Sequence, residues 1–68
     1  MNTRRFEQFT DKELMDIRTG LIVWQTMHSD RLHDSTYPDE LRDNTMKFIQ
    51  RLQKLIQEIR EEFTERMP

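Results

Sequence analysis

Apolar residues recur along most of this chain at helical spacing, separated by charged and polar residues. Over residues 14–32 they stand three and four positions apart, which predicts a helix with one apolar stripe, and residues 41–63 predict a second helix in the same way. The stripe of the first helix comprises Leu14, Ile17, Leu21, Trp24, His28 and Leu32. That of the second comprises Leu41, Thr45, Phe48, Leu52, Leu55 and Ile59. Because the connection is short, we expect an all-α antiparallel two-helix hairpin.

Local signals at the start of each helix set its bounds. Thr10 and Glu13 have the spacing of a capping box, in which each side chain bonds the other residue's amide. Phe9 and Leu14 take the positions of a hydrophobic staple across that start. Pro38 suits the first turn of the second helix, where its missing amide is not needed. One helical-hairpin domain over 1–68 is predicted, with an arm at 1–9, helices at about 11–32 and 38–66, and a loop at about 33–37.

The run Gly20–Trp24 contains four consecutive large apolar residues, whose side chains point in nearly every direction around a helix. A helix that is apolar most of the way round is surrounded by protein. Two helices in one hairpin cannot cover all of this surface, so we predict a homo-oligomer, most simply a dimeric four-helix bundle, and we expect Ile22→Glu to disrupt it. The predicted oligomer interface is Met15, Ile22, Val23, Met27, Ile49, Ile56 and Phe63.

Composition narrows the classes of function. The 68 residues contain no cysteine and carry a net charge of −2, with acidic and basic residues interspersed. A chain this small rarely stabilises a core alone, which again favours oligomerisation. Without a basic run, a long apolar segment or a signal peptide, we expect a cytoplasmic protein that does not bind a membrane and for which nucleic acid is an unlikely partner.

No pattern of reactive residues indicates catalysis. There is no cysteine nucleophile or glycine-rich phosphate loop, and the carboxylates are spaced along solvent faces. His28 and His33 point about 140° apart on a helix, so they do not converge on a metal. We therefore predict no catalytic residues, no metal site, no cofactor and no enzyme activity.

Basic and aromatic residues at the two ends of the hairpin are candidates for binding a ligand or partner. Arg4, Arg5 and Phe6 are expected near the acidic end of the second helix. They either balance its charge or bind an anionic molecule. Tyr37 at the hairpin tip is either a cap on the bundle or an exposed aromatic anchor.

The stretch from Phe9 to Trp24, followed by a long helix rich in Lys, Glu and Arg, resembles small phage-encoded helical proteins. The resemblance implies a protein that acts by binding, for example by blocking a host enzyme, regulator or defence system. One subgroup, oligomeric helical sponges for cyclic-nucleotide defence signals, has a similar build, but no binding residue is carried over from it. We expect an oligomeric inhibitor or modulator of a protein partner, with a sponge for an anionic ligand or a nucleic-acid-binding regulator as alternatives.

Overall fold

Two antiparallel helices make up the structure, a computed structural model that describes residues 5–67. Helix α1 spans Asp11–His33 and helix α2 spans Asp39–Arg66. The predicted all-α hairpin is therefore confirmed. Pro38 differs slightly from its prediction, because it is the N-cap of α2 and not a residue of its first turn. Within the described residues, neither helix is long and apolar enough to cross a membrane.

The start of α1 is fixed by the predicted capping box. Thr10 Oγ1 accepts the amide of Glu13 at 3.1 Å, and Glu13 Oε1 accepts the amide of Thr10 at 2.8 Å. The aromatic residue that packs beside this start is Phe6, which is only 9% exposed and clusters with Leu14 and Ile59. Phe9, predicted to staple the helix start, is 38% exposed, and its ring lies 6.1 Å from that of Phe6.

The core is narrow. Only Leu14 and Ile59 are fully buried among the large side chains of the described chain. Ile17, Leu21, Leu55 and Phe63 pack around them, half-buried. Towards the loop, Thr45, Ile49 and Leu52 are buried on α2. The prediction that Trp24 and Leu41 lie in this core is wrong, since they are 53% and 45% exposed.

Arginines of α2 fasten both ends of the hairpin. At the loop, Arg42 donates to the backbone oxygens of Leu32 and Asp34 at 2.6 and 2.9 Å. These bonds use helix-end carbonyls that lack partners within α1. At the other end, Arg66 holds the arm against both helices. The two contacts give the hairpin a fixed register along its whole length.

Arg66 makes a partly buried contact at the end of α2. The i,i+4 spacing of Glu62 and Arg66 indicates by itself an ion pair on the outside of the helix, but Glu62 is only 4% exposed. Arg66 Nε donates to Glu62 Oε2 at 2.8 Å, and its Nη1 donates to Asp11 Oδ1 at 2.7 Å. Its Nη2 donates to the backbone oxygens of Phe6 and Phe9 at 2.9 and 2.6 Å. The guanidinium therefore joins the arm to the start of α1 and the end of α2.

The molecule is long and thin, measuring 48 × 25 × 16 Å along its principal axes. Its radius of gyration is 14.8 Å, against about 11 Å for a compact chain of this length. Its surface of 5714 Å² also exceeds the roughly 4,700 Å² expected for a folded monomer of this mass. One hairpin by itself therefore exposes about 1,000 Å² more than a typical folded chain of its size.

Candidate interaction surface

Exposed apolar side chains are concentrated on α1. Five large ones lie within 13 consecutive residues of this helix, and each is between 38% and 53% exposed: Met15, Ile22, Val23, Trp24 and Met27. A single exposed apolar side chain is ordinary, but a contiguous set on one element is typical of an interaction site. The structure thus leaves uncovered the α1 residues that the sequence predicted for an oligomer interface, together with Trp24.

The exposed residues fall on two flanks of α1, given a rotation of about 100° per residue. Met15 and Ile22 lie on one flank, which we call the Ile22 flank. Val23, Trp24 and Met27 lie on the other, the Trp24 flank. The core stripe separates the two on one side, and polar residues, including Thr19 and Thr26, separate them on the solvent side. A single partner helix could cover only one flank.

The Trp24 side chain is held in place although it is half exposed. Its ring lies 5.9 Å from that of Phe48 on α2 and 6.4 Å from that of His28. The His28 and Phe48 rings are 4.8 Å apart, and His28 Nδ1 lies 2.8 Å from the backbone oxygen of Trp24. The indole therefore contacts two aromatic rings of the hairpin while about half of its side chain stays exposed.

Gly20 lies on the Trp24 flank, in the interior of α1. A Cβ atom built at this position would meet no atom within 4 Å, and no glycine of the described chain has a positive φ. Neither packing nor backbone conformation within the hairpin therefore requires a glycine here. Glycine in a helix interior costs about 1 kcal/mol relative to alanine.

The predicted interface residues on α2 are less exposed than those on α1. Ile49 is only 7% exposed, so the hairpin itself covers most of this side chain. Ile56 and Phe63 are half-buried, and Phe63 packs against the core cluster. Within this row, Ile49 has little surface left to offer a second chain.

The structure does not bring the four predicted ligand-binding residues into one site. Arg4 lies outside the described residues. Arg5 pairs with Glu58 at 3.1 Å, and Phe6 is buried in the core. Tyr37 lies at the opposite end of the hairpin, where its hydroxyl is 2.7 Å from Thr45 Oγ1. Arg5, Phe6 and Tyr37 therefore each have a contact within the chain, at two separate ends.

Open clefts lined by described residues lie beside the helix pair. One, of about 310 Å³, lies near the loop and is lined by His28, Arg31, Tyr37, Leu41, Asn44, Thr45 and Phe48. Another, of about 520 Å³, lies at the far end and is lined by Arg18, Arg60, Phe63, Thr64 and Met67. The sequence analysis did not single out Arg18 and Arg60, because their convergence depends on how the helices pack.

Three titratable groups of the described residues have shifted pKa values, and each of the three lies at a helix end. Hydrogen bonds from Thr10 lower the pKa of Glu13 below its ordinary value. Hydrogen bonds from Thr36 do the same for the pKa of Asp34 beside the loop. Hydrogen bonds to Glu62 and Asp11 raise the pKa of Arg66. These shifts mark structural contacts, and no cluster of three potential metal ligands occurs among residues 5–67.

Comparison with known proteins adds no functional assignment. No protein family matches the chain, and no curated protein or solved structure is significantly similar to it. The resemblance to small phage-encoded helical proteins therefore stays a prediction from the sequence.

Proposed function

We propose that this protein is a non-enzymatic interaction protein, which self-associates through α1 and acts by binding another protein. The observation that carries the proposal is the exposed apolar surface of Met15, Ile22, Val23, Trp24 and Met27, which occupies two flanks of one helix. Such surface is costly to leave in water, at about 25 cal/mol per Å². A second chain removes it from water.

The surface area supports association of two copies. The hairpin exposes about 1,000 Å² more than expected for its mass. A standard protein interface buries about 800 Å² on each partner. A dimer would therefore bring the surface of each chain close to that of an ordinary folded protein. The narrow core also supports association of two copies, because small chains commonly gain their stability by oligomerising.

Binding of a different protein is supported by the presence of two flanks. An interface between two copies of α1 covers one flank of each chain and leaves the other free. The remaining flank then presents apolar residues on a rigid helix, which is a common mode of protein recognition. We propose that this partner is a host protein that is inhibited during infection.

The test of self-association is multi-angle light scattering on the purified chain across a range of concentrations. We expect the mass of a dimer at high concentration. A mass of one chain at every concentration would rule out the proposal.

A second candidate function is binding of a small anionic ligand, and the cleft between Arg18 and Arg60 favours it. Both arginines line the same 520 Å³ space. Within residues 5–67, neither pairs with a carboxylate. Guanidinium pairs bind phosphate well, and Phe63 offers an aromatic surface beside them.

The ligand hypothesis is tested by calorimetry with a panel of nucleotides and pyrophosphate. The matched pair of variants is Arg60→Gln, within the cleft, and Arg51→Gln, outside it. Loss of binding in Arg60→Gln but not in Arg51→Gln would support this cleft as the site of ligand binding. No heat with any ligand of the panel would count against this function and leave self-association untouched.

A further inference from the structure

We infer that α1 pairs antiparallel with α1 of a second copy across the Trp24 flank, with Trp24 of each chain seated over Gly20 of the other. The inference rests on the proposed self-association and specifies its surface and register. It identifies the occupant of the exposed face as a second copy of this chain.

The first argument is the placement of Gly20. It lies beside Val23, Trp24 and Met27, which are among the most exposed large apolar side chains of the described residues. The missing side chain leaves a notch in this apolar face, and nothing in the hairpin approaches the notch within 4 Å. Glycine on a helix face lets another helix or a large side chain come close. The half-exposed indole of Trp24, fixed by Phe48 and His28, has the bulk to fill such a notch.

The second argument is the register of charges. Glu13, Gly20, Trp24, Met27 and Arg31 fall within about 60° of one another around α1. Consider an antiparallel pair whose twofold axis passes through position 22. A residue that precedes position 22 in one chain then faces the residue that follows position 22 by the same number of positions in the other chain. Gly20 then faces Trp24, and Glu13 at one end faces Arg31 at the other.

Both members of the charged pair are placed to interact. Arg31 has no ion pair within the described residues. Glu13 uses one carboxylate oxygen in the capping box, and the other is directed to no protein donor among the described bonds. The twofold axis produces two Glu13–Arg31 pairs in the dimer, and these two pairs lie about 27 Å apart along the helix axis. Opposite charges at both ends favour the antiparallel arrangement, since a parallel pair would place like charges together.

The third argument is the size of the contact. A helix pair extending over residues 13–31 is long enough to hold the central apolar residues and both charged pairs. Such a pair crosses at about 20°, as in four-helix bundles. The two outer α2 helices then complete a four-helix bundle, and the Ile22 flank stays on the outside.

The decisive variant is Gly20→Ala. In the hairpin alone the added methyl group meets no atom and favours the helix. In the proposed contact it occupies the space that the partner's Trp24 requires. We expect the dimer dissociation constant, measured by sedimentation, to rise by at least about tenfold. Thr26→Ala is the control, because it also adds helix propensity but lies off this face, and it should change the constant less than about twofold.

The register is tested with introduced cysteines, which are the only thiols because the natural chain has none. Val23→Cys lies one residue from the twofold axis, and a short bismaleimide should link two copies. Arg31→Cys lies on the same face but about 27 Å from its own copy in this register, so it should not be linked. Equal linking of both variants would indicate a parallel pair and overturn the inference.

Charge substitutions on the two flanks separate this inference from the proposed function. Trp24→Glu should yield a monomer. Ile22→Glu, which the sequence pattern alone predicted to disrupt the oligomer, should remain dimeric, because Ile22 lies on the other flank of α1. If Ile22→Glu dissociates and Trp24→Glu does not, self-association stands and the Gly20 contact is wrong. A monomeric wild-type chain would overturn both, and a Gly20→Ala dimer as tight as wild type would overturn the contact alone.

Discussion

At the scale of single residues, Arg66 fastens the end of the hairpin opposite the loop. Its guanidinium bonds Glu62, Asp11 and three backbone oxygens of the arm. The buried Glu62 carboxylate is acceptable in the core because it is paired. The sequence contained a signal for this contact, because Arg66 follows Thr45, Leu52 and Ile59 in a row of residues spaced seven positions apart. A charged residue in a core row indicates a buried ion pair and not a solvated one.

We predict that Arg66→Ala lowers the free energy of unfolding by about 3 kcal/mol, because it removes an ion-pair partner of a buried carboxylate and the bonds that hold the arm. Chemical denaturation measures the loss. Arg60→Ala is the control, since Arg60 lies exposed on the same helix, and it should change stability by less than about 0.5 kcal/mol. Similar effects of the two variants would show that the Arg66 contacts contribute nothing specific.

Glu13 links folding to pH. Its capping bonds hold its pKa below the ordinary value of 4.5, so the folded state binds this proton less readily than the unfolded chain. The contribution is therefore fully present above about pH 4.5 and is lost as pH falls through the lowered pKa. We predict that Glu13→Gln, which keeps the capping box, makes the melting temperature fall less steeply in acid. Because Asp34 is still present, the melting temperature of this variant keeps part of its dependence on pH. A pH dependence in Glu13→Gln equal to that of the wild type would contradict this prediction.

At the scale of elements, α1 has two kinds of surface around its circumference. One face packs on α2 through Leu14, Ile17 and Leu21, while both flanks expose apolar side chains. This division explains why the sequence of α1 carries large apolar residues on both sides of its main stripe. A helix with apolar residues on several sides needs more than one partner.

We predict that Leu14→Ala destabilises the hairpin by about 3 kcal/mol, because it leaves a cavity at a fully buried site. Thermal and chemical denaturation measure the change. Met46→Ala, at an exposed position of α2, should cost less than about 0.5 kcal/mol. Equal costs would mean that the two helices do not pack around Leu14.

At the scale of the whole molecule, Trp24 reports on assembly because it is the only tryptophan. It is half exposed in one hairpin, and the proposed dimer buries it. We predict that its emission shifts to shorter wavelength and that acrylamide quenches it less as protein concentration rises. The melting temperature should rise over the same concentrations, since association stabilises the folded state. Emission independent of concentration, in a chain that sedimentation shows to dimerise, would place Trp24 outside the interface.

The sequence by itself determined the two helices, their bounds and the capping box at Thr10, because these depend on residues a few positions apart. It also identified the surplus of apolar residues on α1. Only the tertiary structure decided that Trp24 is half exposed, that Phe6 enters the core and that Glu62 is buried. Those outcomes depend on how far each helix is rotated towards the other, and apolar residues on three sides of α1 are compatible with more than one rotation. The convergence of Arg18 and Arg60 depends on that rotation in the same way.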